Sequence, residues 1–403
     1  MLIHSTFSGG PAGLTSRSGN KVNAGILPES GPVLPLKRIS PSRYTALKEC
    51  ALREIWSAAR QQALLPPSPT AKLGGAIHRL LEEAGRERFV TMQAVEKRWA
   101  SLVDEIEEQM AQSWLERPLI PLRIMVPDYE VRKIRACRKA FEISQESSFV
   151  PHGTKARPGV GFEVWVQSLE GLIGGFIDQV QESSDGPVLR DYKSGYVLAK
   201  READGEPNIK GEYEAQLRLY AALYQSAFKH WPARLEIIPL QGTSRVVELQ
   251  STECARLLDE AGALLKQINA QIRELTARSA EDKEFCLASP SPSICRYCLF
   301  RPGCRAYQKA RDDTSEAPWP GDVWGMVIEV RKLGNGRTNI GLQVTKRPYT
   351  VAQIRGLNSD PGRHPALQVI RVGDQVALYN LRGSTAGSYS ETSSTVIYKL
   401  SEE

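Results

Sequence analysis

Hydrophobic residues recur at three- and four-residue steps along the first third of the chain, and beyond it stretches of two-residue alternation are interleaved with further helical periods. Within residues 43–56 the apolar positions Tyr44, Leu47, Ala51, Leu52 and Ile55 form one helical face, and Ser40-Pro41-Ser42 supplies a start signal. Pro66-Pro67-Ser68-Pro69 interrupts that pattern. A second helix is predicted over residues 71–88, and two further helical stretches run to residue 147. After Pro158-Gly159 the texture becomes extended. Residues 162–166 alternate apolar and polar, and residues 171–180 and 188–193 give two more strands around the turn sequence Ser183-Ser184-Asp185-Gly186-Pro187. Residues 213–228 read as a helix, 235–240 with 245–249 as a strand pair, and 252–278 as a long helix. The pattern predicts an α/β fold in which a mixed sheet is flanked by helices.

Residues 313–318 read as a linker. Beyond them come short β-rich runs at 323–329, 338–344, 366–372, 375–380 and 395–400, with no long helical period. They predict a small all-β barrel of the oligonucleotide-binding (OB-like) type. The expected division is a flexible leader over 1–36, an α/β domain over 37–312 and a barrel over 319–403.

A chain of 403 residues is long enough for this division. Charged residues are 24%, hydrophobic residues 41%, and the mean hydropathy is -0.33, which excludes wholesale disorder and a membrane bundle. No apolar run approaches the ~18–20 residues that span a bilayer. The Ser-, Gly- and Pro-rich start lacks the apolar stretch of a signal peptide, and seven cysteines do not form a closed disulfide set. The expectation is a cytoplasmic protein with no membrane partner. A net charge of +6 is compatible with nucleic acid without specifying it.

The informative chemistry lies in the predicted strands. Gly175-Phe176-Ile177-Asp178 is followed by Asp191-Tyr192-Lys193. On adjacent strands, Asp191 and Lys193 share one face and Asp178 stands beside them. Two carboxylates beside an ammonium form a site for Mg²⁺ or Mn²⁺, hard cations that take oxygen ligands. Such an ion acidifies bound water and draws charge from a phosphodiester, while Lys193 orients the water or stabilises the charged phosphorane. A bare D-x-K arises often by chance, so the rest of the chain must carry the argument. Gly74-Gly75-Ala76-Ile77-His78 opens a helix with an imidazole that can serve as a further ligand. Gln216 and Tyr220 lie i and i+4 on one helix face. Cys295, Cys298 and Cys304 are spaced for metal binding but are one thiolate short; Cys50 is the best fourth candidate, ahead of Cys286. On spacing alone, structural Zn²⁺ and an iron–sulfur cluster fit equally well. No G-x-x-x-x-G-K-[ST] loop is present, which excludes a Walker-type motor in the chain.

Taken in order, Ile39-Ser40-Pro41-Ser42-Arg43-Tyr44 through Cys50, the Gly74-to-His78 motif, Gly175-to-Asp178, Asp191-Tyr192-Lys193, Gln216-to-Tyr220 and the three late cysteines resemble the RecB-like branch of the PD-(D/E)XK nucleases. The likeness is to members with an iron–sulfur staple, such as AddB-type nuclease domains and CRISPR-associated exonucleases, and covers about residues 39–310. The resemblance implies a restriction-endonuclease-like fold and a Mg²⁺- or Mn²⁺-dependent DNA exonuclease acting on single strands or ends, in repair, recombination or antiviral defence. It implies metal ligation by His78, Asp178, Asp191 and the Tyr192 carbonyl, with Lys193 as catalytic lysine. Gln216 and Tyr220 would support the site. Cys50, Cys295, Cys298 and Cys304 would hold a 4Fe–4S cluster. The leader and the barrel lie outside the likeness. In the barrel, Arg331, Lys332, Arg337, Lys346 and Arg347 are candidate phosphate binders and Tyr349 a stacking group. A competing expectation is a non-catalytic DNA-binding or scaffold subunit, and the barrel could instead dock a helicase, recombination or defence partner.

Overall fold

The computed structural model describes residues 25–28, 31–59, 62–146, 158–199, 208–314, 317–345, 349–383 and 387–400. Helices α1 (Tyr44–Glu49), α2 (Ala51–Ala58), α3 (Pro69–Arg86), α4 (Met92–Ala111), α5 (Leu122–Met125) and α6 (Tyr129–Glu146) come first. Strands β1 (Gly161–Gln167), β2 (Gly174–Gln181) and β3 (Val188–Lys193) follow, then α7 (Gly211–Phe228), β4 (Arg234–Pro239) and β5 (Arg245–Val247). They form one sheet in the order β1-β2-β3-β4-β5. The β3–β4 pair is parallel and the others antiparallel, so α7 is the crossover that parallel neighbours require. Helices α8 (Ser251–Glu274), α9 (Ala280–Leu287), α10 (Pro292–Cys295) and α11 (Arg305–Asp313) complete this α/β body.

Alternation along the central strands explains the layers. Leu189 on β3 and Ile237 on β4 enter a core shared with α7 and α8, whereas their neighbours Tyr192 and Ile238 enter a second core built by α3, α4 and α6. The sheet is therefore covered on both faces, as a parallel pair demands.

Three expectations need correction. The stretch 43–56 is not one helix: Cys50 is extended (φ -160°, ψ 102°) and separates α1 from α2. Residues 366–372 are not a strand, because Pro365 opens a 3₁₀ turn (Pro365–Gln368) that buries Ala366 and Leu367 together. The described part of the expected leader is anchored. Leu27 N–H donates to Lys399 O (3.1 Å), and Asn269 clamps Leu36 by two 2.8 Å hydrogen bonds. The remainder of the leader, residues 1–24 and 29–30, lies outside the described residues.

The C-terminal part forms a second sheet from β6 (Val323–Lys332), β7 (Arg337–Gln343), β8 (Val351–Asn358), β9 (Gln375–Tyr379), β10 (Arg382–Gly383), β11 (Ser388–Ser390) and β12 (Val396–Lys399). Its order is β10-β11-β8-β7-β6-β9-β12, antiparallel except for β11–β8. One face builds its own core around Val327, Leu342 and Ile354. The other contributes Ala377, Tyr379, Val396 and Tyr398 to the α/β core, and the Tyr398 hydroxyl donates to Leu64 O (2.7 Å).

The junction is polar as well as apolar. Asp322, fully buried at the head of β6, accepts from Arg301 Nε (2.7 Å) and Nη2 (3.2 Å), the Tyr307 hydroxyl (2.6 Å) and the Asn380 amide (2.9 Å). Arg301 also donates to Cys298 O (3.2 Å) and Asn380 Oδ1 (2.5 Å), so the cysteine loop and the second sheet share one network.

Candidate active site

The site forms where β2 and β3 part. Their ladder pairs Gln181 with Val188, Val180 with Leu189 and Gln179 with Arg190, and no further pair follows. At the next position the Asp178 side chain replaces the ladder: its Oδ2 accepts the Tyr192 amide N–H at 2.7 Å. Asp191 and Lys193 alternate with Tyr192 on β3, and Asp191 is 3% exposed. Lys193 Nζ stands 2.7 Å from Asp191 Oδ2 in an ion pair.

Helix α7 closes the arrangement with Gln216. Its Nε2 donates to Asp191 Oδ1 (2.7 Å) and its Oε1 accepts from Lys193 Nζ (3.0 Å). The charges fix the amide's orientation, since only its nitrogen can serve a carboxylate and only its oxygen an ammonium. Tyr213 on the same helix sets its ring 4.7 Å from Lys193 Nζ. Tyr220, one turn beyond Gln216, packs over Gly175, where an added Cβ would meet the hydroxyl at 3.0 Å.

Burial and mutual repulsion dominate the electrostatics. Burial first, then Asp191, pushes the Asp178 carboxyl up to about 8, against the Tyr192 N–H and Lys193. Burial also raises Asp191, opposed by Lys193 and His78. Two carboxylates thus face one ammonium, and the uncompensated charge is what a divalent cation would neutralise. His78, on α3, is solvent-exposed at the edge of this recess. Desolvation by the surrounding protein and then Lys193 lower its pKa, while Asp191 raises it.

A family model of the PD-(D/E)XK nuclease superfamily matches residues 38–305. The chain belongs to that superfamily. Its members are usually nucleases and typically use Mg²⁺ or Mn²⁺. No curated protein and no solved structure matches the chain.

In this superfamily member Asp178, Asp191, Lys193 and Gln216 come together, with Tyr220 behind them and His78 at the rim. Among the described residues no three His, Cys, Asp or Glu side chains form a group that could hold a metal ion as placed. The implied four-ligand shell of His78, Asp178, Asp191 and Tyr192 is therefore not preformed. The Tyr192 side chain points away, its hydroxyl donating to Gln179 Oε1 (2.6 Å).

Sequence reasoning missed Glu163. It lies on β1 between Phe162 and Val164, the partners of Gln179 and Ile177, and so stands across from Asp178. Its backbone is left-handed (φ +50°), an irregularity of the kind that clusters beside active sites. Burial and then Glu82 raise its carboxyl, and its charge adds to the pressure on Asp178. A polar residue in an alternating strand gave no signal of this.

The four singled-out cysteines line one small recess with Trp56, Ile294 and Tyr307. The helix break presents Cys50, while Cys304 caps α11 by accepting the Tyr307 N–H on its sulfur (3.4 Å). Burial pushes the Cys295 thiol up to about 12 and Cys298 to about 11, and raises Cys304 as well. Cys286 is exposed, and Cys137 and Cys254 are buried outside this recess.

In the second sheet, Arg331, Lys332 and Arg337 are exposed on the β6–β7 hairpin, with Arg337 bonded to Gly356 O (3.1 Å). Tyr349 is half-buried and its hydroxyl is bonded to that of Tyr389. Lys346 and Arg347 lie outside the described residues. No helix among the described residues is long and apolar enough to cross a membrane.

Proposed function

We propose that this chain is a Mg²⁺- or Mn²⁺-dependent deoxyribonuclease of the RecB-like branch, an exonuclease on single-stranded DNA or DNA ends. The observation that carries the reading is the convergence of Asp178, Asp191, Lys193 and Gln216 from two strands and a helix. The uncompensated carboxylate pair fits a hard cation, which is commonly bound by one or two carboxylates plus waters and substrate phosphates. When bound, the cation supplies Lewis-acid activation of water and of the phosphodiester. Asp178 and Asp191 would hold it, the first fixed by the Tyr192 N–H and the second by Gln216. His78 at the rim, within electrostatic reach of Asp191, would be the third ligand. Lys193, held by Asp191 and Gln216, orients the attacking water or stabilises charge developing on the phosphoryl oxygens.

The recess suits a 4Fe–4S cluster in its donor set, four cysteines gathered in one place, although among the described residues no three thiols are placed to hold a metal as they stand. Structural Zn²⁺ is the alternative occupant. Either would staple Cys50 to the chain beyond Cys295. The second sheet serves as an OB-like module that adds strand contacts through Arg331, Lys332 and Arg337. Repair, recombination and antiviral defence all fit this chemistry, in the cytoplasm and alongside a helicase or other partner.

Digestion of end-labelled single- and double-stranded DNA with each metal tests the reading. Cleavage that requires Mg²⁺ or Mn²⁺ is expected. Binding without cleavage in either metal would overturn it in favour of a scaffold subunit.

A further inference from the structure

A cavity of about 590 Å³ opens at the residue after Lys193. Its walls are α6, the stretch that follows β3, and the connection from β4 to β5. Arg132, Arg135 and Arg245 line it, with Asp128 as the one acidic side chain among the lining residues. Among the described residues none of these arginines is in an ion pair, and Arg132 Nε is buried without a hydrogen-bond partner. Arg132 reaches the site's backbone by donating to Ser194 O (3.4 Å). Tyr196, 85% exposed, stands at the lip. Arg135 donates to Gln241 Oε1, and three guanidinium groups without a carboxylate partner among the described residues, in a cavity of ligand size, suit successive phosphates.

Two residues before Asp178 on β2 lies an exposed aromatic pair. Trp165 on β1 and Phe176 on β2 are directly opposite in register, with ring centroids 4.8 Å apart. They are 40% and 50% exposed, and the Arg38 guanidinium lies 4.9 Å from the Trp165 ring centre. At ~3.4 Å per residue, the Phe176 backbone is about 7 Å from that of Asp178.

We infer that these two features form one track for a single-stranded polynucleotide across the site, with a base stacked on Trp165–Phe176 and the backbone leaving through the arginine cavity. This rests on the nuclease reading for its place in the reaction, though not for binding itself. Aromatic platforms joined to a cationic groove hold single strands, because a duplex keeps its bases stacked on one another and offers no free π-face.

The test is binding of a fluorescent oligo-dT to the full-length protein in EDTA, across a salt series. Arg135→Gln with Arg245→Gln should flatten the slope of log K against log[salt] by about 1.4, at ~0.7 per lost phosphate contact. Trp165→Ala should weaken binding at least about fivefold with the slope unchanged, since stacking carries no counterion release. A blunt duplex should compete at least about tenfold more weakly than the single strand. Unchanged melting of the variants establishes that they fold. A parent-like slope in the arginine variant, parent-like affinity in Trp165→Ala, or equal competition by duplex would each overturn the track. Loss of cleavage alone would instead count against the nuclease reading, because EDTA removes catalysis from the binding measurement.

Discussion

Replacing Asp322 by Asn should loosen the junction between the cysteine loop and the second sheet more than any surface change can. Arg301 is 2% exposed, and Asp322 is its buried counter-charge through two hydrogen bonds. Taking one partner from a buried pair costs about 3–5 kcal/mol, because the remaining charge stays desolvated. The Tyr307 hydroxyl and the Asn380 amide donate to different Asp322 oxygens and Asn offers only one acceptor, so one of these bonds is lost as well, and at least about 3 kcal/mol is the expected loss. Burial alone would raise the Asp322 carboxyl, yet Arg301 and the Tyr307 and Asn380 hydrogen bonds hold it below its ordinary value. A depressed acid stabilises the fold above its unfolded pKa of ~4, and this stabilisation fades as pH falls through the folded value. At pH 7 the full effect is present. Urea unfolding followed by tryptophan fluorescence reads it, since Trp319 and Trp324 both pack edge-on against Tyr307. The double change Arg301→Met with Asp322→Leu, which removes both charges, should recover at least half of the loss. A loss below about 1 kcal/mol in Asp322→Asn would refute the claim that this pair locks the two parts together.

Three further outcomes follow from the site. In metal-free buffer, the raised Asp178 carboxyl makes the parent lose stability as pH rises from ~4 to about 8; Asp178→Asn should remove that component, seen as a melting-temperature gain over the parent that grows across this range. Gln216→Leu deletes the hydrogen bonds that position one carboxylate and one ammonium, and should lower kcat at least about 10-fold with KM little changed. Anaerobically purified protein should be brown with matching iron and sulfide, and Cys50→Ser should lose both; a colourless protein holding one zinc would reverse the cofactor assignment.

Much of the site was legible because its chemistry is local. The two-residue step from Asp191 to Lys193 fixes a shared strand face, and the four-residue step from Gln216 to Tyr220 fixes a helix face. The five strands of the first sheet followed from alternation and turn residues. What escaped depends on tertiary contact. The extended backbone at Cys50 interrupts a helical period that continues on both sides of it. Glu163 matters through its neighbours across the sheet, which no spacing along the chain displays. Arg301 reads as one more basic residue among cysteines, and only the fold brings Asp322 and Asn380 to it. Residues 366–372 carry the β-branched Val369, Ile370 and Val372, but Pro365 sets a turn that the core then buries.

Single-turnover cleavage of end-labelled single-stranded DNA in Mn²⁺, comparing the parent with Lys193→Ala, bears most directly on the site. Lys193 makes contact with both Asp191 and Gln216, so its removal should cut the rate at least about 100-fold while circular dichroism and metal-free strand binding stay unchanged. A variant that folds, binds and still cleaves at the parent rate would contradict the account.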